Sequence, residues 1–167
     1  MPRRVVYYPS DKDFLNHLVK FIEPPSGAHL VDLGCGDGRV LHVFGRHYDD
    51  IRVTGVEIDP NLVKVARQKL SSIGDRAKVV KGDLFKENLE RYDIIYAYLT
   101  RDALSHMRNK LIRFLYEGGL LVTHDYPVPG LEPSRVHLLD LGGKKHYIFL
   151  YFDKKRVRRD LIKGLKI

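Results

Sequence analysis

Residues 28–45 read AHLVDLGCGDGRVLHVFG and place Gly34, Gly36 and Gly38 within five positions. An apolar run leads into the glycines, and a helical pattern leads out. The stretch predicts a buried strand that turns sharply into a helix over main chain stripped of side chains. Gly34 and Gly36 can take backbone angles closed to other residues, and they let a ligand lie against the main chain. The helix that follows offers unpaired N–H groups and the positive end of its dipole, suited to a carboxylate or phosphate. A plain tight turn would use the same residues, so the rest of the chain decides between the two.

The remaining pattern alternates strand and helix. Ser10 and Asp13 stand in capping-box order before a helical stripe of Phe14, Leu15, Leu18, Val19 and Ile22, which Pro24-Pro25 stops. HLVDLG, IRVTGVEID, AKVVKGDLF, YDIIYAYLT and GGLLVTHDY read as five strands. Between the second and third, Asp59 reads as an N-cap with Pro60 at the first helical position; Leu62, Val63, Ala66 and Leu70 face inward, and Gly74 ends the helix. Residues 102–116 predict a further helix. SRVHLLDL and HYIFLYFD, joined at Gly142-Gly143, predict a closing hairpin. This order predicts an α/β fold in three layers: a doubly wound, mostly parallel sheet with helices on both faces and an antiparallel hairpin at one edge.

The 167 residues predict one domain with a substantial core. It is read as 1–152, with 1–25 as an N-terminal segment and helix, followed by a basic tail at 153–167. No apolar run of 18 residues occurs, so no membrane span is expected. MPRRVVYYPSDKDF has no apolar core before a small-residue cleavage site, so no secretory signal is expected. Cys35 is the one cysteine, and the chain reads as cytoplasmic. The net charge is +8, of which residues 153–167 contribute +5. Such a tail suits an acidic partner or RNA, or else a solvated helix that docks Val157, Leu161 and Leu165 on its own domain.

In a doubly wound sheet a ligand lies beyond the carboxyl ends of the strands. Asp32 and the glycines end the first strand. Glu57 ends the second, 19 residues after Gly38, where an acid suits ribose hydroxyls. Asp83 ends the third, placed to accept from an adenine amino group, with the Leu84 N–H beside it. Three carboxylates would repel a pyrophosphate, whereas a cationic nucleoside fits them. Gly34-x-Gly36-x-Gly38 also departs from the GxGxxG dinucleotide fingerprint. Charge and spacing favour S-adenosylmethionine over NAD.

VDLGCGDGR, GVEIDP, GDLF and YDIIYAYLT, with the hairpin LLDLGGKKHYIFLYFD, resemble the motifs of the class I, seven-strand (Rossmann-like) S-adenosylmethionine-dependent methyltransferase family. The likeness covers about residues 26–152. It implies strand order 3-2-1-4-5-7-6 and S-adenosyl-L-methionine as cofactor. A narrower likeness lies in YYPS before a helix, in YAYLT, and in THDYPVPG followed by HYIFLYF. These are similar to an archaeal and mitochondrial group of protein lysine methyltransferases. Pro9-Ser10-Asp11 and Thr123-His124-Asp125-Tyr126 are variants of that group's Pro-Thr-Pro-like and SHEF-like motifs, and the basic tail is longer than its pattern requires.

The resemblance implies a cofactor site of Tyr8, Asp32, Leu33, Gly34, Cys35, Gly36, Glu57, Ile58, Gly82, Asp83, Leu84 and Tyr98. Asp32, Gly34 and Gly36 would hold the methionine end, Glu57 the ribose and Asp83 the adenine. Tyr8 would close over them. Tyr98, Leu99 and Thr100 would line the place where methyl meets acceptor.

Methyl transfer from a sulfonium is an in-line displacement that depends on alignment. No metal is expected, because the eight histidines form no compact ligand group in the sequence; His42 and His47 are five apart. A lysine acceptor must be neutral, and removing its proton at pH 7 costs about 4.6 kcal/mol from a reference pKa of about 10.4. Tyr98 and Asp125 are the candidate catalytic residues, placed to orient the amine or take its proton. Protein lysine is the expected acceptor. Alternatives are an RNA methyltransferase that uses the basic tail, a non-catalytic cofactor-binding protein and an NAD-dependent enzyme. No Asn-Pro-Pro-Tyr-type motif follows the fourth strand, which ends in AYLT.

Overall fold

The computed structural model describes residues 10–165. Its strands are β1 (His29–Leu33), β2 (Arg52–Glu57), β3 (Ala77–Lys81), β4 (Ile94–Ala97), β5 (Leu120–His124), β6 (Arg135–Leu141) and β7 (Lys144–Tyr151). They form one sheet in the order β3-β2-β1-β4-β5-β7-β6. Pairing is parallel from β3 through β5 and antiparallel for β5–β7 and β7–β6. The expected architecture and strand order are both present. β4 and β5 are buried at every position, as strands covered on both faces must be. β6 alternates between exposed and half-buried residues because one of its faces meets solvent. Gly142 and Gly143 close the β6–β7 hairpin with φ of 65° and 91°, the left-handed pair a two-residue turn needs.

Helices α1 (Lys12–Phe21), α2 (Arg39–His47) and α3 (Pro60–Leu70) supply one hydrophobic layer, and α4 (Arg101–Tyr116) supplies the other. Asp59 caps α3 by accepting from the Asn61 and Leu62 N–H groups, with Pro60 in the first turn, as its sequence predicts. Gly38, at the start of α2, has φ 82°, and a methyl there would stand 3.1 Å from Ala66 Cβ. Glycine at this position lets α2 and α3 pack closely.

Several local expectations are corrected. Asp11, not Ser10, caps α1, and its side chain accepts from the Asp13 N–H. Ser10 is buried, and its hydroxyl lies 3.1 Å from Tyr96 Oη. Leu62 is only half-buried. α3 ends at Leu70, and a 3₁₀ segment, Ser71–Arg76, follows it with Gly74 at φ 72°. The helix in the tail, α5, spans only Arg159–Ile162. Val157, Leu161 and Leu165 are nevertheless buried against the domain, while Lys154, Lys155 and Lys163 stay exposed.

Candidate functional site

The parallel register brings the strand ends into one line. Asp32 pairs with Gly55 on one side and Tyr96 on the other, and Leu33 pairs with Val56 and Ala97. Strand order reverses between β1 and β4, so the glycine loop opens at the switch point, where such sheets form a crevice.

Gly34 and Gly36 adopt φ of 78° and 57°. The Gly34 and Cys35 N–H groups donate to Val56 O at 2.9 and 3.0 Å. Gly36 N–H donates to Glu57 Oε2 at 2.8 Å. Glu57 Oε1 accepts from the Ile58 and Asp59 N–H groups at 3.0 and 3.1 Å. One carboxylate thus fixes the glycine loop and the turn after β2. A methyl added to Gly34 would lie 3.2 Å from Leu99 Cδ2, so the bare backbone is also what lets the segment after β4 come close. Cys35 is buried, and a side chain at Gly55 would collide with its Sγ. Burial, with Asp32 and Glu57 nearby, pushes its thiol far up the pH scale. It is a packing residue within the loop, not a nucleophile.

Asp32 is buried, and its carboxyl is held well above the ordinary range by burial and then by the negative charges of Glu57 and Asp37. Asp37 differs. Burial opposes its ionisation, but hydrogen bonds from Arg39 and Lys69, at 2.9 Å each to Oδ2, hold its carboxyl below the ordinary range. Asp37, which the glycine pattern alone does not single out, pins the loop to α3 through Lys69. At the end of β3, Gly82 N–H donates to Glu57 O at 3.0 Å, and Asp83 Oδ1 accepts from Phe85 N–H at 2.9 Å. Leu84 is buried beside Gly34, whereas Ile58 is 53% exposed. Leu33 is fully buried at the last position of β1. Tyr8 lies outside the described residues.

A second constellation stands at the ends of β4 and β5. Asp125 has φ 63°, the left-handed region. Its N–H donates to Tyr147 O at 2.8 Å, and its Oδ1 accepts from Tyr147 N–H at 2.9 Å. This grip turns Oδ2 back toward Tyr98 Oη, 3.4 Å away. The same Oδ2 lies 3.4 Å from both His124 Nε2 and His146 Nδ1, and those two nitrogens are 2.9 Å apart. His124 Nδ1 is 3.0 Å from Tyr96 Oη, which continues to Ser10 Oγ. Phe14 stacks on the His124 ring at 3.7 Å, and Tyr98 packs against it at 4.0 Å. Burial drives the His124 pKa down to about 3 against the opposing pull of Asp125, so the ring is neutral. The sequence brought out Tyr98 and Asp125 but not this pair of histidines, which β5–β7 pairing unites.

The first half of the crevice fits an adenosine with a cationic tail. The buried Asp32 carboxyl stands near Glu57 and Asp37 beside the bare main chain of the glycine loop, and the exposed apolar Ile58 follows Glu57. The family model for the "ANTKMT methyltransferase domain" matches residues 32–135. A protein-lysine N-methyltransferase of Saccharolobus islandicus is 25% identical over 149 residues, covering 88% of this chain and 92% of that one. The adenine nucleotide translocase lysine N-methyltransferase of Mus musculus is 33% identical over 110 residues, 64% of this chain and 47% of that one. A crystal structure of an RNA methyltransferase from Salinibacter ruber, in complex with S-adenosyl-L-homocysteine, superposes with a TM-score of 0.76 at 29% identity. It covers 92% of this chain and 99% of that one.

Proposed function

The chain belongs to the ANTKMT methyltransferase domain family, and we propose that the acceptor of this S-adenosylmethionine-dependent methyltransferase is the side-chain amine of a protein lysine. The cofactor supplies a methyl group on a positively charged sulfur. The observation that carries the reading is the Tyr98–Asp125 pair, a hydroxyl and a carboxylate 3.4 Å apart just beyond the carboxyl ends of β4 and β5.

A lysine arrives as an ammonium ion. Asp125 Oδ2 draws it in and accepts an N–H. The neighbouring imidazole of His124 is neutral, so no imidazolium competes for that carboxylate. Deprotonation costs about 4.6 kcal/mol at pH 7 for an unperturbed lysine, and a cationic sulfur nearby reduces that cost by repulsion. Asp125 Oδ2 takes the proton and passes it to water at the partly exposed mouth. Tyr98 Oη then holds the neutral amine with its lone pair directed inward. On the cofactor side, Asp32, Glu57 and Asp83 serve the ammonium, the ribose and the adenine. Leu33, Gly34, Cys35, Gly36, Ile58, Gly82 and Leu84 shape the wall between them. The two lysine methyltransferase relatives support this acceptor.

A second reading, methylation of RNA, is favoured by the likeness to the Salinibacter ruber protein and by the exposed Lys154, Lys155 and Lys163. Incubating the protein with labelled S-adenosylmethionine and a cell extract separates the two. Protein acceptance leaves label that resists nuclease and is released by protease. Label released by nuclease overturns the lysine reading.

A further inference from the structure

Among the described residues, His124, Asp125 and His146 form the one group of three or more His, Cys, Asp or Glu side chains whose ligand atoms converge as a metal would require. We propose that His124 Nε2, His146 Nδ1 and Asp125 Oδ2 bind a divalent transition-metal ion of the zinc class, and that its binding withdraws Asp125 from the acceptor and stops methyl transfer.

The geometry carries the first half. The three atoms form a triangle with edges of 2.9, 3.4 and 3.4 Å. A metal about 2.0–2.1 Å from each ligand has ligand–ligand edges of about 2.9 Å at right angles and about 3.4 Å at the tetrahedral angle. The observed triangle spans that range without rearrangement. Two imidazoles and a carboxylate suit zinc, cobalt or nickel and not magnesium or calcium, which take oxygen ligands.

The surroundings match a ligating histidine. Metal-bound imidazoles donate their other N–H to an oxygen, and His124 Nδ1 lies 3.0 Å from Tyr96 Oη, itself backed by Ser10 Oγ. Phe14 and Tyr98 fix the ring on its two sides. His146 Nε2 is buried with no hydrogen-bond partner among the described residues. With its proton on that nitrogen, His146 leaves Nδ1 free to face the ion. Both histidines are buried, whereas the Asp125 side chain retains 23% exposure, which gives an ion its route from the crevice. The binding half rests on this geometry alone; the inhibition half rests on the role proposed above for Asp125.

Cobalt(II) titration of the full chain tests binding without any substrate. One equivalent is expected to bind with the strong visible absorption of a low-coordinate ion. His146→Gln and Asp125→Asn are each expected to weaken uptake by at least about 10–100-fold, and His17→Gln, at an exposed site, to leave it unchanged. In the wild-type protein, zinc is expected to shift the ring resonances of two of the eight histidines. Absence of cobalt uptake, uptake retained by both ligand variants, or shifts of histidines other than 124 and 146 would overturn the site. Zinc uptake that leaves methylation unaffected would overturn the inhibition and leave the site standing.

Discussion

Tyr98 Oη donates to Asp125 Oδ2 across 3.4 Å, linking the segment after β4 to the residue that follows β5. The contact depends on the left-handed backbone of Asp125, which asparagine also tolerates and alanine does not. Asp125→Asn is therefore expected to fold as the wild type and to lower kcat by about 10²-fold, in the range of a lost proton acceptor. Tyr98→Phe keeps the ring on His124 and removes only the hydroxyl, for an expected loss of about tenfold. Steady-state kinetics with thermal melts in parallel check both. A kcat within twofold of wild type in Asp125→Asn removes that carboxylate from the chemistry.

Glu57 uses both oxygens on main-chain N–H groups, one from Gly36 and two from the turn after β2. Glutamine keeps one acceptor and turns an NH₂ toward donors on the other side. Charged hydrogen bonds are worth about 1.5–3 kcal/mol each, so Glu57→Gln is expected to weaken cofactor binding by about 10–100-fold, read by calorimetry. An unchanged affinity would place the ribose elsewhere.

Proton release on cofactor binding distinguishes Asp32 from ordinary surface acids. Its carboxyl is raised by burial, with Glu57 and Asp37 adding to the effect. A bound cation favours the ionised form and so lowers that pKa. Cofactor binding is therefore expected to release a proton, and affinity to rise with pH between the bound and free pKa values. Calorimetry in buffers of different ionisation enthalpy measures the release, and Asp32→Asn is expected to abolish it.

His124 makes acid stability diagnostic. Its pKa in the folded protein is about 3, against an ordinary value of 6.5. Between those values the unfolded chain binds a proton that the folded one does not, so stability falls as the pH drops through 6.5 and continues to fall toward 3. The slope from this one group reaches at most about 1.4 kcal/mol per pH unit. Denaturant melts at pH 7 and pH 5 are expected to show a smaller loss for His124→Asn than for the wild type.

Strand order and the glycine turn were legible because their causes are local. Buried parallel strands read as unbroken apolar runs, and Gly34, Gly36 and Gly38 mark where backbone must stand bare. The cap of α1 is not legible in the sequence, because Tyr96, 86 residues away, takes the Ser10 hydroxyl and leaves capping to Asp11. The His124–His146 pair was invisible for a similar reason. His124 pairs with Ile148, so antiparallel register sets His146 on the same face, a relation no spacing in the sequence records. The apolar face of the tail was readable, and its consequence is energetic. Val157, Leu161 and Leu165 are buried, at about 1.5–3 kcal/mol for each such side chain. Removing the tail therefore threatens the fold itself, and charge reversal at exposed Lys154 and Lys155 is the cleaner probe of RNA contact.

The acceptor is tested most directly by hydrolysing the labelled product and identifying the methylated unit, with the wild type and Asp125→Asn compared at equal cofactor saturation. Nε-methylated lysine from the wild type, reduced about 10²-fold in the variant, is the expected result. A methylated nucleoside, or methyllysine formed equally well by both proteins, would contradict it.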